Sequence, residues 1–380
     1  MADKHYFMYV GTFTPETKSS TGELMGAPAE GIGVFDFNAS TGDIQHIETI
    51  RDLLSPSWLT FHPHLPVLYA AERRFDVNKP SPGAISSFAI DQATGHLTLT
   101  ARVESEGASP PFVSVHPSGR HAYTVHFVSG HVVGFPLDAN GSIKPADTVI
   151  QHKLTRAAPP GGHIHHHLES PHPHMIRPAP NGSYVTVSDV GLDAILTYPT
   201  DPVDGKLSSV PSYRMEPAYG TGPRHHARHP NGRFLFACGE VNSTMCIFTL
   251  DDKVGCLGFL GALPTVPQDY VPGPEHVGPG EIVVHPNGRA IYVSNRGHDS
   301  IAVYSFDETS GSAKFLGTQE SLGVTPRAFS VDPTGKYLFA ANQTPGSLVR
   351  FRINPETYWP EFDGLIYETP TPVCVVFRPR

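Results

Sequence analysis

Short apolar runs recur in pairs along the chain, and a similar polar turn joins the two runs of each pair. The turn reads His-Pro-x-Gly or a near variant, and its six copies lie at residues 62–63, 116–119, 179–182, 229–232, 285–288 and 332–335. The copies are about 50 residues apart, and no helical pattern lies between them. Because a four-stranded sheet cannot bury both of its faces without neighbours, this repeat predicts the blades of a β-propeller.

The second half of each copy also repeats. After the second strand comes another apolar stretch, which ends in an Asp/Asn-rich turn before Gly, at residues 34–42, 85–95, 132–141, 195–205, 246–255 and 301–311. A seventh stretch, 351–357, has Tyr358 where the others have Gly. Turns of this composition between apolar runs indicate hairpins, so each copy is predicted to supply four strands in the order A, B, C and D.

The seventh copy is divided between the two ends of the chain. Residues 372–379 have the pattern of strand A and its turn, whereas residues 6–13 have the pattern of a strand B. Pairing these two strands would close the ring and remove an exposed sheet edge. The sequence therefore predicts an all-β, seven-bladed propeller that forms one domain over residues 1–380.

Composition excludes several classes of protein. The 380 residues carry a formal net charge of −9, and no Lys/Arg stripe favours nucleic acid as a partner. No apolar stretch approaches the length of a membrane span, and residues 1–4 lead directly into a strand without a signal peptide. Four cysteines in apolar settings are expected to be free thiols, which agrees with a cytoplasmic location. Internal ring closure favours a monomer.

Loop lengths differ between the two faces of the predicted ring. Strand A begins and strand B ends at one face, because consecutive hairpin strands are antiparallel. The long insertions at 14–30, 74–82, 151–171 and 264–280 all fall on this face, whereas the turns on the opposite face are short. Loops on a rigid scaffold carry function, so the candidate site is expected at this mouth of the central channel.

Counting from the Pro of each turn identifies equivalent positions at that mouth. Six residues before the Pro, at the head of strand A, are Ser57, Pro111, His174, Arg224, Gly280 and Arg327. Nine and ten residues after it, at the end of strand B, are Glu72 and Arg73, His126 and Phe127, Asp189 and Val190, Gly239 and Glu240, Asn295 and Arg296, and Asn342 and Gln343. Positions used only for packing would be uniformly apolar. This mixed polar set predicts a binding site built from several blades.

Several motifs at these positions resemble those of the seven-bladed lactonase propellers. They are Pro173-His174-Met175, Gly222-Pro223-Arg224-His225, Gly239-Glu240-Val241-Asn242, the Ser294 to Asp299 segment and Ala341-Asn342-Gln343. The family includes enzymes of the bacterial 6-phosphogluconolactonase type and the fungal 3-carboxy-cis,cis-muconate cyclase. The resemblance implies a catalytic set of His174, Arg224, Glu240 and Arg296. Gly239 departs from the Asn expected in many bacterial relatives.

These residue types suit lactone hydrolysis. His174 or Glu240 could deprotonate water, and the Arg224 and Arg296 side chains could hold a carboxylate, a phosphate or the developing oxyanion. Further substrate contacts are predicted from His225, Glu281, Asn295, Arg327 and Gln343. No metal or cofactor is required. The expected partner is a small anionic lactone, such as 6-phosphogluconolactone, or its open acid.

Other interpretations stay open at this point. The same site could close a lactone ring on an unsaturated diacid, as a carboxymuconate cycloisomerase does, and the propeller could also be a non-catalytic binding or sensing protein. The turn histidines at 62, 116, 229 and 285 are expected to be structural. The run from His163 to His167, followed by His172 and His174, is expected to be a solvated or lid segment without a physiological metal. Arg73, Arg74 and Lys79 are interpreted as solvated loop charges, and Asp189, Asp193 and Asp299 as backbone braces.

Overall fold

The computed structural model describes residues 4–14, 29–74, 82–154, 165–272 and 278–380, without the side chains of His165 and His166. In these ranges the chain forms seven four-stranded antiparallel sheets and one short 3₁₀ helix, His165–Leu168. Blade 1 contains β1 (His5–Thr12), β2 (Ile32–Asn38), β3 (Ile44–Ile50) and the last strand, β28 (Pro372–Pro379). The predicted all-β, seven-bladed propeller is confirmed.

Blades 2 to 4 follow in chain order. Blade 2 contains β4 (Pro56–Phe61), β5 (Val67–Glu72), β6 (Pro82–Ile90) and β7 (Leu97–Ala108). Blade 3 contains β8 (Phe112–Val115), β9 (His121–Val125), β10 (His131–Pro136) and β11 (Thr148–Gln151). Blade 4 contains β12 (Pro173–Pro178), β13 (Tyr184–Asp189), β14 (Ala194–Pro199) and β15 (Tyr213–Met215).

The last three blades have the same order of strands. Blade 5 contains β16 (Pro223–Arg228), β17 (Phe234–Gly239), β18 (Thr244–Asp251) and β19 (Cys256–Pro264). Blade 6 contains β20 (Gly278–Val284), β21 (Ala290–Arg296), β22 (Ser300–Asp307) and β23 (Ser312–Glu320). Blade 7 contains β24 (Val324–Val331), β25 (Tyr337–Thr344), β26 (Ser347–Ile353) and β27 (Pro360–Glu368).

The chain ends close the ring as predicted. Strand β28 pairs with β1 in antiparallel register, with Met8 opposite Phe377 and Val10 opposite Val375. Residues of adjacent sheets bury one another in the spaces between blades; for example, Phe236 of blade 5 and Tyr304 of blade 6 share one apolar cluster. Because every sheet is covered on both faces by its neighbours, the rigidity of the ring depends on these contacts.

The turn histidines join neighbouring blades. Nε2 of His62, His116, His229 and His285 lies 2.9 Å from the carbonyl oxygen of Gly119, Gly182, Gly288 and Gly335, respectively, which is the turn glycine of the next repeat. Their Nδ1 atoms accept hydrogen bonds from backbone N–H groups of their own turns. Each imidazole is therefore occupied at both nitrogens, which confirms the structural role predicted for these four histidines.

The turns between strands C and D make a similar connection through tyrosine. The hydroxyls of Tyr9 and Tyr69 donate to the carbonyl oxygens of Gly95 and Gly141 at 2.9 and 2.5 Å. Tyr292 donates in the same way to the carbonyl of Tyr358 at 2.7 Å. Tyr358 has φ of 60°, the left-handed backbone that Gly adopts in the equivalent turns, so it takes the place of that Gly as the sequence register indicates.

Three of the four cysteines are buried and Cys256 is partly exposed, and all four are free thiols. Among the described residues, no helix has the length and apolar character needed to span a membrane. The assignment of residues 1–380 to a single domain stays a prediction.

Candidate active site at the channel mouth

The heads of the inner strands carry β-bulges in six of the seven blades. Register shifts lie between Pro56 and Trp58, Pro173 and Met175, Pro223 and His226, Pro279 and Ile282, Pro326 and Ala328, and Pro372 and Cys374. The residues inside these bulges are Ser57, His174, Arg224, His225, Gly280, Glu281, Arg327 and Val373. A bulge redirects side chains out of the regular alternation of a strand. The repeated Pro and its bulge thus place the predicted site residues at the channel.

A second ring lies where strand B ends. The backbone N–H groups of Phe13, Arg73, Phe127, Val190 and Glu240 each donate to a carbonyl in the connection that leads into strand A of the same blade. Arg296 and Gln343 follow in blades 6 and 7 by the same sequence offset. Each of the seven blades thus contributes one residue to this ring. Besides Arg73, its polar members are Glu240, Arg296 and Gln343, which come from the consecutive blades 5, 6 and 7.

The preceding position in strand B has a different role. Asp189 accepts hydrogen bonds from the backbone N–H groups of His172 and Leu192 at 2.8 and 2.9 Å. Asn295 donates from Nδ2 to the carbonyl oxygen of Thr265 at 2.6 Å, and Asn342 donates similarly to Ser321 at 2.9 Å. These side chains brace the connection into strand A. The amide N–H of Asn295 already has this partner. A contact between Asn295 and substrate stays a prediction.

Glycine occupies the bracing position in blade 5. A Cβ atom at Gly239 would lie 2.7 Å from Oδ1 of Asn242 and 2.8 Å from Oγ1 of Thr244, so a larger residue would require these side chains to move. Nδ2 of Asn242 lies 3.4 Å from Oγ1 of Thr221 in the same connection. Asn242 therefore supplies from the following loop the amide that strand B lacks here.

Asp193 and Asp299 also brace backbone, as predicted. Asp193 accepts from the N–H groups of Gly220 and Gly222, both at 2.7 Å. Asp299 accepts from the N–H of Thr325 at 2.8 Å. These carboxylates are engaged in holding the loops at the mouth.

Glu240 lies between two guanidinium groups. Its Oε1 is 2.5 Å from Nη2 of Arg296 and 3.7 Å from Nε of Arg224, and all three side chains are buried. Burial raises the pKa of Glu240, but the two arginines outweigh burial and lower it to about 2. Glu240 is consequently a carboxylate at neutral pH, and this pairing makes it a weak base.

Backbone carbonyls complete the setting of the two arginines. Arg296 donates from Nη2 to the carbonyl of Pro279 at 3.0 Å and from Nε to that of Gly278 at 3.1 Å. Nη1 of Arg224 donates to the carbonyl of Gly280. Burial and then the charge of Arg296 lower the pKa of Arg224 to about 10, so it remains a cation at neutral pH.

Two more arginines lie at the mouth, on the side of blades 7, 1 and 2. The guanidinium carbons of Arg73 and Arg327 are 5.8 and 5.2 Å from the ring centre of Phe13. Burial, followed by the charge of Arg224, lowers the pKa of Arg73 to about 9 and that of Arg327 well below its usual range. The interpretation of Arg73 as a solvated loop charge is therefore wrong: it is only 7 % exposed. Arg74 is exposed as expected, and Lys79 lies outside the described residues.

His174 and His225 are joined to Glu281 by hydrogen bonds. Nδ1 of His174 is 3.0 Å from Nε2 of His225, whose Nδ1 is 3.1 Å from both carboxylate oxygens of Glu281. Burial is the main cause that lowers the pKa of both imidazoles, to about 4 for His225 and well below the usual range for His174. Burial therefore favours the neutral form of both imidazoles.

Aromatic rings fix these imidazoles in place. Trp58 stacks on Phe112 at 4.4 Å, and the two rings contact His225 edge-on at 5.3 and 5.6 Å. Phe127 contacts His174 edge-on at 5.7 Å. Sequence analysis named Arg73 and Phe127 at the ends of their B strands, but it did not include Trp58, Phe112 or Phe13. The equivalent end of strand B in blade 1 could have indicated Phe13, whereas no sequence signal pointed to Trp58.

Gln343 completes the polar part of the ring at the mouth. Its side chain is 3 % exposed, and its Oε1 has no hydrogen-bond partner among the described residues. Below the mouth, a cavity of about 470 Å³ opens toward the opposite face and is lined by strands that include β4, β8 and β24. Trp58 and Phe112 belong to this lining, so they separate His225 from the lower channel.

Among the described residues, no three His, Cys, Asp or Glu side chains are grouped as metal ligands. Residues 163–164 and the side chains of His165 and His166 lie outside those ranges.

The family described as "Lactonase, 7-bladed beta-propeller" matches residues 7–377. The chain belongs to this family. The predicted resemblance and the lactonase class of enzyme are thereby confirmed.

Individual relatives agree over the full length of the fold. The 6-phosphogluconolactonase of Bacillus subtilis (strain 168) is 29% identical over 372 residues, which are 98% of this chain and 98% of the relative. A solved protein of Bacteroides uniformis ATCC 8492, provisionally named a 6-phosphogluconolactonase, is 29% identical with a TM-score of 0.84, covering 98% of this chain and 99% of the other. The periplasmic gluconolactonase of Pseudomonas aeruginosa shares the fold at 24% identity and a TM-score of 0.86, covering 98% and 99%.

Proposed function

We propose that this protein hydrolyses a small anionic sugar lactone, with 6-phosphogluconolactone as the preferred substrate. The observation that carries the proposal is the charge of the buried mouth. Arg73, Arg224, Arg296 and Arg327 face two carboxylates, Glu240 and Glu281, while burial lowers the pKa of the histidines between them and favours their neutral form. A buried excess of positive charge is costly unless an anion compensates it, so an anionic ligand fits this site.

The two pairs of arginines are suited to different parts of the substrate. Arg224 and Arg296 are held by Glu240 and by backbone carbonyls, and Arg224 lies near His174, so this pair suits the lactone carbonyl and the oxyanion that develops on it. Arg327 has no hydrogen bond or ion pair with any described residue, and it stacks on Phe13 near Arg73. This second pair suits the phosphate, which accepts several charge-assisted hydrogen bonds.

The reaction requires one base and no redox step. As a water oxygen bonds to the lactone carbonyl carbon, Nε2 of His174 takes up a proton from that water. The tetrahedral oxyanion is stabilised by Arg224 and Arg296. When the bond between the carbonyl carbon and the ring oxygen breaks, the protonated His174 gives its proton to the departing oxygen, and the product is the open hydroxy acid. No metal or cofactor takes part in this scheme.

Hydrolysis should be measured above the spontaneous rate on 6-phosphogluconolactone, gluconolactone and carboxymuconolactone. We expect the phosphorylated lactone to be the best substrate and His174→Ala to lower kcat about 10²- to 10⁴-fold. Arg327→Met should raise KM for the phosphorylated lactone and leave the unphosphorylated one nearly unchanged. Wild-type turnover of none of the three would contradict the proposal and favour a binding or sensing propeller, whereas turnover of carboxymuconolactone alone would favour the cycloisomerase.

The proposal extends to the oligomeric state and the cellular location. The pairing of β1 with β28 completes blade 1 within one chain, so no second copy is needed to supply a strand, which agrees with a monomer. A cytoplasmic location agrees with four free thiols, although one solved relative is a periplasmic enzyme. Light scattering of the purified protein tests the first point, and fractionation of its native host tests the second.

A further inference from the structure

Three buried groups from three successive blades form one hydrogen-bonded series beneath the mouth. They are Glu281 of blade 6, His225 of blade 5 and His174 of blade 4. We propose that Glu281 and His225 are positioning residues, which hold His174 in the tautomer whose Nε2 lone pair is free, and that His174 rather than Glu240 is therefore the general base. This inference rests on the proposed lactone hydrolysis.

The proton positions follow from the acceptor at the inner end. Glu281 also accepts the backbone N–H of Ile282 at Oε1, at 2.9 Å, so its oxygens serve as acceptors. Nδ1 of His225 must then carry the proton, since it faces both oxygens. A neutral imidazole with a protonated Nδ1 has its lone pair at Nε2, and this Nε2 faces Nδ1 of His174.

The same rule applies one step outward. Nδ1 of His174 must donate, because its partner nitrogen is an acceptor, and Nε2 of His174 then has the lone pair. No described residue hydrogen-bonds to that Nε2. In each of the four turn histidines, by comparison, Nε2 meets a backbone carbonyl. His174 thus differs from them in presenting an unoccupied lone pair.

The surrounding charges keep the series neutral until the reaction. Arg73, Arg224 and Arg327 face His174, while Arg224 and Arg177 face His225 together with Glu281. These cations disfavour a resting imidazolium. When His174 takes up a proton, the Nε2 lone pair of His225 and the Glu281 carboxylate stabilise the charge through the Nδ1–H bond, as the carboxylate of a catalytic triad does.

Geometry beyond the hydrogen bonds indicates that the series is built rather than incidental. Trp58 and Phe112 hold the His225 ring edge-on, and Phe127 does the same for His174. The backbone N–H of Glu281 is bound to Oγ of Ser294 at 2.9 Å. Each member is therefore fixed independently of its hydrogen bond to the next, which is what a positioning role requires.

Glu240 does not offer an equivalent lone pair. Its Oε1 is bound to Arg296 at 2.5 Å and lies 3.7 Å from Arg224, so proton uptake there would weaken two ion pairs. The Oε2 of Glu240 has no hydrogen-bond partner among the described residues, but it shares the same carboxylate charge. The geometry assigns Glu240 to holding the arginines.

The direct test is the tautomeric state of the histidines, which does not depend on activity. In protein labelled with ¹⁵N-histidine, long-range ¹H–¹⁵N spectra at neutral pH should show His174 and His225 neutral and protonated at Nδ1. Their signals are assigned among the 22 histidines by their loss in His174→Gln and His225→Gln. Either ring found protonated at Nε2 or charged would overturn the inference.

Matched substitutions supply the kinetic test. His225→Leu removes the acceptor for Nδ1 of His174 and should lower kcat about 10²- to 10³-fold with little change in KM, whereas His225→Gln retains an acceptor and should recover most of kcat. Glu281→Leu should lower kcat similarly, because it removes the acceptor that holds the proton on Nδ1 of His225, and the spectra would show the change of tautomer.

The failures of the two proposals are distinguishable. A wild-type protein that hydrolyses none of the lactones contradicts the proposed function, and the spectra still decide the tautomers. An active wild type in which His225→Leu keeps its kcat, or in which Leu and Gln at this position reduce kcat equally, leaves the proposed function intact and overturns the positioning role. Circular dichroism and thermal unfolding establish that each variant is folded.

Discussion

Histidines serve both faces of the propeller, but their partners differ. On the face of short turns, four imidazoles from different blades make the same bond, from Nε2 to a glycine carbonyl at 2.9 Å. At the channel mouth, equivalent positions at the head of strand A hold different residues on the same backbone: His174, Arg224, Gly280 and Arg327. A residue that recurs in several blades with the same partner indicates a structural role. Different residues at equivalent backbone positions indicate a functional site.

The two faces also differ in the charge that they bury. The turn histidines connect blades through hydrogen bonds between neutral groups, which hold the sheets together without burying a charge. The mouth instead contains four arginines, and the pKa of Arg73, Arg224 and Arg327 is lowered first by burial and then by neighbouring arginines: Arg224 acts on Arg73 and Arg327, and Arg296 acts on Arg224. Such an arrangement opposes folding locally, so the uniform contacts elsewhere in the ring must maintain it.

The largest expected effect compares two arginines of the same strand. Arg224→Met removes the guanidinium that lies between Glu240 and the carbonyl of Gly280, and we expect kcat/KM to fall about 10²- to 10³-fold because the oxyanion loses a donor. Arg228→Met, four residues later, removes a side chain that instead binds Asp252 and the hydroxyl of Tyr184. Steady-state hydrolysis of 6-phosphogluconolactone measures both variants.

The control keeps the substitution and the strand constant. Arg228→Met should retain the activity of the wild type once its concentration is corrected for folded protein. Equal losses of activity in the two variants would mean that any disturbance of β16 inactivates the protein, and the assignment of Arg224 to the site would then fail.

An intermediate effect is expected from the turn face, and it should appear in stability alone. His229→Ala leaves the carbonyl of Gly288 without its buried donor, so the free energy of unfolding should fall by about 1–3 kcal/mol. Activity per folded molecule should not change. Urea unfolding gives the first quantity, and assays at a temperature where the variant is fully folded give the second. His285→Ala makes the same change in the next blade and should cost a similar amount.

Most of the fold was predictable because the repeat fixes local geometry. The turn sequence sets each hairpin, and even the exception at Tyr358 obeys the register, with φ of 60° where Gly is usual. The bulges were not read from the sequence, yet the offset from each turn Pro located their residues, because the same backbone shape recurs in every blade. The repeat thus predicts which residues are equivalent, but it does not predict the β-bulges that direct their side chains.

Contacts between blades were the part that sequence could not supply. Arg73 was misinterpreted because a strand followed by a long insertion resembles a solvated loop, whereas the Phe13 ring and the neighbouring arginines bury it. The series from Glu281 to His174 likewise depends on three residues separated by more than 50 positions in each step. The direction of a side chain at a bulge depends on tertiary packing, so it cannot be predicted from the sequence of one repeat.

The smallest expected effect is a change in pH dependence at the mouth face. His126 is fully buried at the end of β9, and burial, followed by the charge of His131, lowers its pKa to about 3. In the unfolded chain this imidazole binds a proton near pH 6.5, whereas in the folded protein it does so only near pH 3. The stability that the neutral His126 contributes is therefore fully present above pH 6.5 and is lost as the pH falls toward about 3. At pH 5 this group accounts for up to about 2 kcal/mol of the loss. Unfolding in urea should show that the free energy of unfolding changes less between pH 7 and pH 5 in His126→Leu than in the wild type. An equal change in the two proteins would mean that folding does not lower the pKa of His126.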